Sequence, residues 1–214
     1  ASARTTTAAP VKTAEQRATE DAKQVQKAWD DAKARGGSDA VAANAAAQKL
    51  RSMTVGVADK AYVNALVRAA GPTLDKATTA LATNANGKGL KGEQDARQIK
   101  DTIRALSDVA TAAGPVGAFL IADPLAKKLT DRSELVHLDD GFGEHVDNGG
   151  GPQLLAMLGA RLDAYGKTEA LDELFDRHDK SLIESAWDAT GGKVVSAIND
   201  AFHATVDFVG DAAS

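Results

Sequence analysis

Apolar residues recur at three- and four-residue intervals along most of the chain, which is the spacing of an amphipathic helix. One such seam consists of Ala18, Ala22, Val25, Trp29 and Ala32. Another consists of Ala96, Ile99, Ile103, Leu106 and Ala110. No stretch of convincing length shows the two-residue alternation of a strand. The pattern therefore predicts an all-α fold, an irregular multi-helix bundle of about nine or ten helices.

Gly-Pro pairs mark the ends of several of these helical segments. They stand at positions 71–72, 114–115 and 151–152, at intervals of 43 and then 37 residues. Such a period is typical of stacked helical hairpins, so a short α-solenoid is the alternative architecture. We favour the bundle because no repeat consensus accompanies the pairs, and because Gly-Pro is a common way to end one helix and begin the next.

Helix start signals outline the domain organisation. Thr13 and Gln16 form a capping-box pattern, and Ser38 precedes the next helical segment. We expect residues 1–12 to be a flexible N-terminal linker and residues 13–214 to form a single helical domain. The alternative is that residues 13–214 form two subdomains, which meet near residues 84–92.

The stretch Gly114–Leu129 is predicted to lie at the centre of the fold. Residues 109–122 carry no charge, and Phe119, Leu120 and Ile121 are apolar around the whole helical wheel, as in a buried helix. Asp123 and Pro124 resemble a cap followed by the first position of a new helix. The sequence therefore predicts a buried helical hairpin here, with Phe119, Leu120 and Ile121 in the core.

Composition removes several classes of function. The chain has no cysteine, which excludes disulfides, thiolate zinc sites and thiol nucleophiles. Its longest uncharged run, residues 109–122, spans 14 residues, fewer than the roughly 20 that cross a bilayer, so no membrane insertion is predicted. The glycines Gly87, Gly89 and Gly92 match GxGxxG, but no apolar strand precedes them and no cofactor is predicted.

Charge is unevenly distributed between the two halves. Residues 1–114 hold 17 Lys and Arg against 12 Asp and Glu, a net charge of +5, while residues 115–214 hold 8 against 18, a net charge of −10. The halves either neutralise each other or leave an acidic surface for a cationic partner. Nucleic-acid binding is not expected, because the basic half lacks a dense Lys/Arg cluster with interleaved aromatics.

One segment concentrates the residues that carry chemistry. Residues 137–147 contain two His, three Asp and one Glu between apolar helical segments, and three glycines follow at 149–151. The candidate catalytic residues are His137, Asp139, Asp140, Glu144 and His145. The candidate metal ligands are His137, Asp139, His145 and Asp147, since imidazole and carboxylate together bind zinc, manganese or iron.

For this segment we favour a solvated acidic loop over a catalytic or metal site. The glycines favour a splayed, exposed loop, in which the charges separate and need no ion, and in which His137 and His145 share no ligand. HExxH and the calcium-loop pattern are both absent.

The stretches A-W-D-D-A-K-A-R-G-G-S-D-A (28–40) and A-Y-V-N-A-L-V-R-A-A-G-P (61–72) resemble helical segments of large exported proteobacterial proteins, including effector-like and LysM-associated ones. The resemblance covers residues 20–130 and carries over no catalytic residue. It implies a secreted or injected bacterial protein that acts by protein–protein interaction in virulence or competition; a cytoplasmic protein is the other possibility. A hydrolase or metal-dependent enzyme using the 137–147 segment is the alternative function.

Overall fold

The computed structural model describes residues 9–85, 93–131 and 135–177, and these ranges contain nine α-helices and no strand. The helices are α1 (Ala14–Ala34), α2 (Asp39–Thr54), α3 (Lys60–Ala69), α4 (Gly71–Asn84), α5 (Glu93–Ala113), α6 (Pro115–Lys128), α7 (Val136–Asp147), α8 (Gln153–Ala164) and α9 (Thr168–Arg177). The prediction of an all-α multi-helix bundle is confirmed. The apolar spacing of Val194, Ile198, Phe202, Val206 and Val209 predicts a further helix over 193–209, which lies outside the described residues.

The predicted helix starts are confirmed at the first two helices. The Thr13 hydroxyl accepts from the Gln16 amide at 3.2 Å, and the Gln16 side chain accepts from the Thr13 amide at 3.0 Å. Ser38 caps α2 by accepting from the amide of Val41 at 3.3 Å. These contacts satisfy amide groups that have no partner within their own helix, which is why the sequence signal located the helix starts.

Helix α5 lies at the centre of the bundle. It packs against α2, α6, α7 and α8, and its seam residues Ile99, Ile103 and Leu106 are completely buried. One hydrophobic core includes residues from α1 through α9, and much of it is alanine, which lets the helices approach closely. The helices that surround α5 therefore share one core.

The predicted hairpin at Gly114–Leu129 is wrong, because a single helix, α6, runs through this stretch with Pro124 inside it. Phe119 and Ile121 are buried as predicted, whereas Leu120 is only partly buried. Proline usually breaks a helix interior because it lacks an amide proton. Here the tertiary contacts of α6 outweigh that cost, since most of its residues from 117 to 126 are buried.

Asp123 is not a helix cap but the centre of a buried polar cluster. Arg161 of α8 donates to its carboxylate from Nε at 3.0 Å, and Tyr165 donates from its hydroxyl at 2.5 Å. The Arg161 guanidinium also stacks over the rings of Phe119 and Tyr165, at 4.9 and 5.2 Å from their centroids. The cluster joins α6 to α8, and this engagement explains why the Asp123 side chain does not cap a helix.

The predicted exposed loop over 137–147 is also wrong, because these residues form α7. Leu135, Leu138, Phe142 and His145 recur at three- and four-residue intervals and are buried against the bundle. Gly141 lies on the same helix where it meets α5, so closely that a Cβ there would be 2.9 Å from Cβ of Ile103. Burial of these four residues and the close contact of α7 with α5 thus outweigh the low helix propensity of Gly141.

Replacing Gly141 by alanine tests this close contact. The added Cβ would also lie 3.2 Å from Cα of Lys100, so backbone as well as side chain must move. We expect a loss of about 1–2 kcal/mol in urea unfolding, because overpacking of about 1–3 kcal/mol exceeds the gain in helix propensity.

The matched control is Gly71→Ala at the start of α4, where no atom lies within 4 Å of the added Cβ. This variant is expected to be neutral or up to about 1 kcal/mol more stable. Equal stability of the two variants would contradict the close approach of α7 to α5.

No helix among the described residues combines the length and the apolar character that a bilayer span requires.

Candidate functional site

A polar cleft of about 600 Å³ lies where α2, α5 and the C-terminal end of α7 meet. All but three of the residues around it are polar or charged. Its lining consists of Gln48, Arg51, Asp101, Arg104, Ala105, Asp108, His145, Asn148, Gly149 and Gly150. The volume falls in the range of small-ligand pockets, although such pockets are usually more apolar.

His145 forms the buried end of the cleft. Its side chain is only 6% exposed, Nε2 lies 3.1 Å from the carbonyl oxygen of Gly151, and Nδ1 lies 3.7 Å from Oδ1 of Asp108. Because a carbonyl only accepts hydrogen bonds, Nε2 carries the proton in the neutral ring. Burial lowers the pKa of His145 below its usual 6.5, and the nearby Asp108 carboxylate opposes that shift only in part.

The turn after α7 is shaped around this imidazole. Gly149 has a φ of +82°, a conformation that glycine adopts without strain. A Cβ on Gly150 would lie 2.2 Å from Nε2 of His145, so any other residue there would displace the imidazole. The Gly150 amide donates to the His145 carbonyl at 2.9 Å, and Asn148 donates to the Glu144 carbonyl at 2.6 Å. The glycines predicted to loosen this segment instead close a helix end around His145.

Two acid–base pairs line the wall formed by α2 and α5. Arg51 of α2 donates from Nε to Oδ2 of Asp108 at 2.6 Å. Arg104 and Asp101, one turn apart on α5, come no closer than 3.9 Å. All four side chains are between 32% and 46% exposed, so both pairs remain accessible from the cleft.

The structure separates the candidate residues of α7. His145 reaches the cleft, whereas Glu144 binds Nζ of Lys100 at 2.8 Å and raises the pKa of that lysine. Asp139 is buried with 4% exposure, and His137 is half-buried. The two remaining candidates, Asp140 and Asp147, are exposed. The set predicted from sequence is therefore spread around one helix and does not form a single site.

Within the described ranges, no three His, Asp or Glu side chains converge in the way that metal ligands would. Among the residues that the structure describes, Asp108 alone places a carboxylate within 4 Å of the His145 ring. The candidate ligands His137, Asp139, His145 and Asp147 therefore do not provide the three or four converging donors of a typical protein metal site.

Sequence reasoning missed the charged residues that share the cleft with His145. Asp101, Arg104 and Asp108 occupy i, i+3 and i+7 of α5 and so share a face, which is a signal that the sequence contains. Arg51 stands 57 positions before Asp108, and only the packing of α2 on α5 shows that the two meet.

The lowered pKa of His145 predicts a pH dependence of stability. The unfolded chain takes up a proton near pH 6.5, before the folded protein does, so the contribution of this group is complete above that pH and is lost as the pH falls below it. We expect the free energy of unfolding of wild type to fall more steeply below pH 6.5 than that of His145→Gln. Parallel curves for the two proteins would contradict the burial of the imidazole.

Comparison of the chain with protein-family models, with curated proteins and with solved structures finds no match in any of the three.

Proposed function

We propose that this chain is a non-enzymatic helical module that acts by binding another protein, and that the partner inserts polar or charged groups into the α2–α5–α7 cleft. The observation that carries this proposal is the chemistry of the lining. Arginine, aspartate, asparagine and glutamine surround a cleft of about 600 Å³, and they supply charge and hydrogen bonds for recognition.

The same lining offers little for catalysis. None of the described residues around the cleft is a serine, threonine, tyrosine or lysine, so a hydroxyl or amine nucleophile is not among them. The Asp108 carboxylate is bound by Arg51, and Nε2 of His145 is bound to the Gly151 carbonyl. These contacts hold the two side chains in place between neighbouring elements, and they support a recognition surface more than a reaction centre.

Export from a bacterium and a role in virulence or competition remain proposals that rest on the resemblance of residues 28–40 and 61–72. Fractionation of the native organism tests them. Recovery of the protein in the medium or in a recipient cell supports export, and retention in the cytoplasm contradicts it.

The test of binding is site-specific photo-crosslinking. A photoreactive residue replaces Gln48 at the cleft or, as the matched control, Thr79 on the exposed surface of α4. We expect a defined crosslinked product from position 48 that excess unlabelled protein removes, and no such product from position 79. Identical products from both positions would contradict the proposal.

The alternative is a hydrolase in which His145 acts as a general base. The observation in its favour is the neutral imidazole beside Asp108, with Nδ1 as the atom that accepts a proton. That atom faces a carboxylate 3.7 Å away. Turnover of chromogenic esters or phosphoesters by wild type, abolished in His145→Gln, would establish the enzyme and overturn the binding proposal.

A further inference from the structure

The two acid–base pairs of the cleft differ in how completely they are satisfied. The Arg51–Asp108 pair is closed, because it joins two helices through a hydrogen bond of 2.6 Å. The Arg104–Asp101 pair is open, because its nearest atoms lie 3.9 Å apart, beyond hydrogen-bond distance. In the described part of the chain, neither Arg104 nor Asp101 makes a side-chain hydrogen bond to another residue. The open pair therefore retains its donors and acceptors.

An open pair selects its ligand by charge. A carboxylate gains a charge-assisted hydrogen bond from Arg104, but Asp101 repels it if it carries no cation of its own. An isolated ammonium is attracted by Asp101 but repelled by Arg104. A group that carries both charges satisfies both residues, and it does so without breaking the closed pair or uncovering a buried charge.

The charge balance of the cleft favours the same kind of ligand. Arg51 and Arg104 contribute +2, Asp101 and Asp108 contribute −2, and His145 is neutral near pH 7, so the described lining has no net charge. Such a site attracts neither simple anions nor simple cations from a distance, but it presents both positive and negative side chains to a ligand at close range. Gln48 and Asn148 lie in the same lining. Their amide nitrogens already donate within the protein, and their amide oxygens can accept hydrogen bonds from a ligand.

We infer that Arg104 and Asp101 are the recognition pair of the cleft and bind a zwitterionic group, with its carboxylate on Arg104 and its ammonium on Asp101. This inference rests on the proposed binding function. The same chemistry occurs in a free amino acid and in a Glu–Lys pair on the surface of a partner protein, and the experiment distinguishes these two sources.

The experiment follows backbone amides of the full chain by NMR during titration with three probes. γ-Aminobutyrate carries both charges, and butyrate and butylammonium carry one each. We expect γ-aminobutyrate to shift the amides of Gln48, Gly149 and Gly150 saturably, with each single-charge probe binding about tenfold more weakly. A helical peptide with Glu and Lys four residues apart is the protein-like arm, and its Glu–Glu analogue is the control.

The variants Arg104→Gln and Asp101→Asn each remove one charge of the pair and are expected to weaken γ-aminobutyrate binding about tenfold. Arg68→Gln is the matched control, since Arg68 is exposed on α3 and away from the cleft, and it should bind as wild type does. Tighter binding of the peptide than of γ-aminobutyrate identifies a protein surface as the source, and the reverse identifies a free zwitterion.

The inference is overturned if all three probes bind equally, if none binds, or if the two cleft variants bind as wild type does. If crosslinking at position 48 persists in any of these cases, the proposed binding function is retained, but the group that binds in the cleft is not zwitterionic. If neither the expected probe binding nor the crosslinking at position 48 is observed, the proposed function is itself contradicted.

Discussion

Replacement of Arg161 by leucine is expected to destabilise the protein by about 3–4 kcal/mol, because it leaves the Asp123 carboxylate buried without its main cation. The side chains of Asp123 and Arg161 are only 12% and 15% exposed. Tyr165 still donates to the carboxylate, and Lys127 lies 3.9 Å away, so the loss stays toward the lower end of the range for a broken buried pair. Urea unfolding measures the change.

Arg17→Leu is the matched control for this prediction. Arg17 makes the same two kinds of contact, a 3.0 Å ion pair with Asp59 and a stacking contact 5.0 Å from the ring of Tyr62. Its side chain is 48% exposed, so solvent screens the pair and the expected loss is about 1 kcal/mol or less. Equal losses in the two variants would show that Asp123 is not buried in the folded protein.

Replacement of Phe142 by alanine is the second large effect that we expect, with a loss of about 3–5 kcal/mol. Phe142 is 1% exposed and is the largest of the fully buried side chains in the described ranges. It lies at the centre of α7, so the variant leaves a cavity beneath the helix that positions His145.

Val146→Ala on the same helix is the control, since Val146 is only partly buried and its truncation should cost about 1 kcal/mol. Calorimetry of both variants measures the difference. Similar, small losses would mean that residues 136–147 do not pack against α5 as a helix.

Regular helices could be predicted from the sequence because their signals are local. The α1 seam through Val25 and Trp29, the capping box at Thr13 and Gly114 at the end of α5 all lie within a few residues of the feature that they determine. Each of these predictions agrees with the structure, since local propensity and tertiary packing favour the same conformation there.

Helices α6 and α7 could not be predicted in the same way, because their local signals oppose their tertiary contacts. Pro124 and Gly141 disfavour a helix interior locally. In α6, burial and the contact of Asp123 with Arg161 outweigh that local preference. In α7, the close packing of Gly141 on α5 does so. These stabilising partners lie 38 or more positions away in the chain, beyond the reach of a short sequence pattern.

The candidate site was only partly predictable for the same reason. Composition singles out the segment that contains His145, because histidines and carboxylates are dense there. Helical geometry then scatters those neighbours around α7 and brings His145 to Asp108 of α5 and, through it, to Arg51 of α2. A cleft formed by three helices depends on their packing, which no single segment of the sequence specifies.

The cleft exists only if α7 places His145 between Asp108 and the Gly151 carbonyl, and an NMR titration of the imidazole nitrogens tests this arrangement most directly. We expect a neutral ring protonated at Nε2, with a pKa below 6.5. Asp108→Asn removes the carboxylate 3.7 Å from Nδ1 and should lower that pKa further. A ring protonated at Nδ1, or a pKa at or above 6.5 that Asp108→Asn leaves unchanged, would contradict this placement of His145.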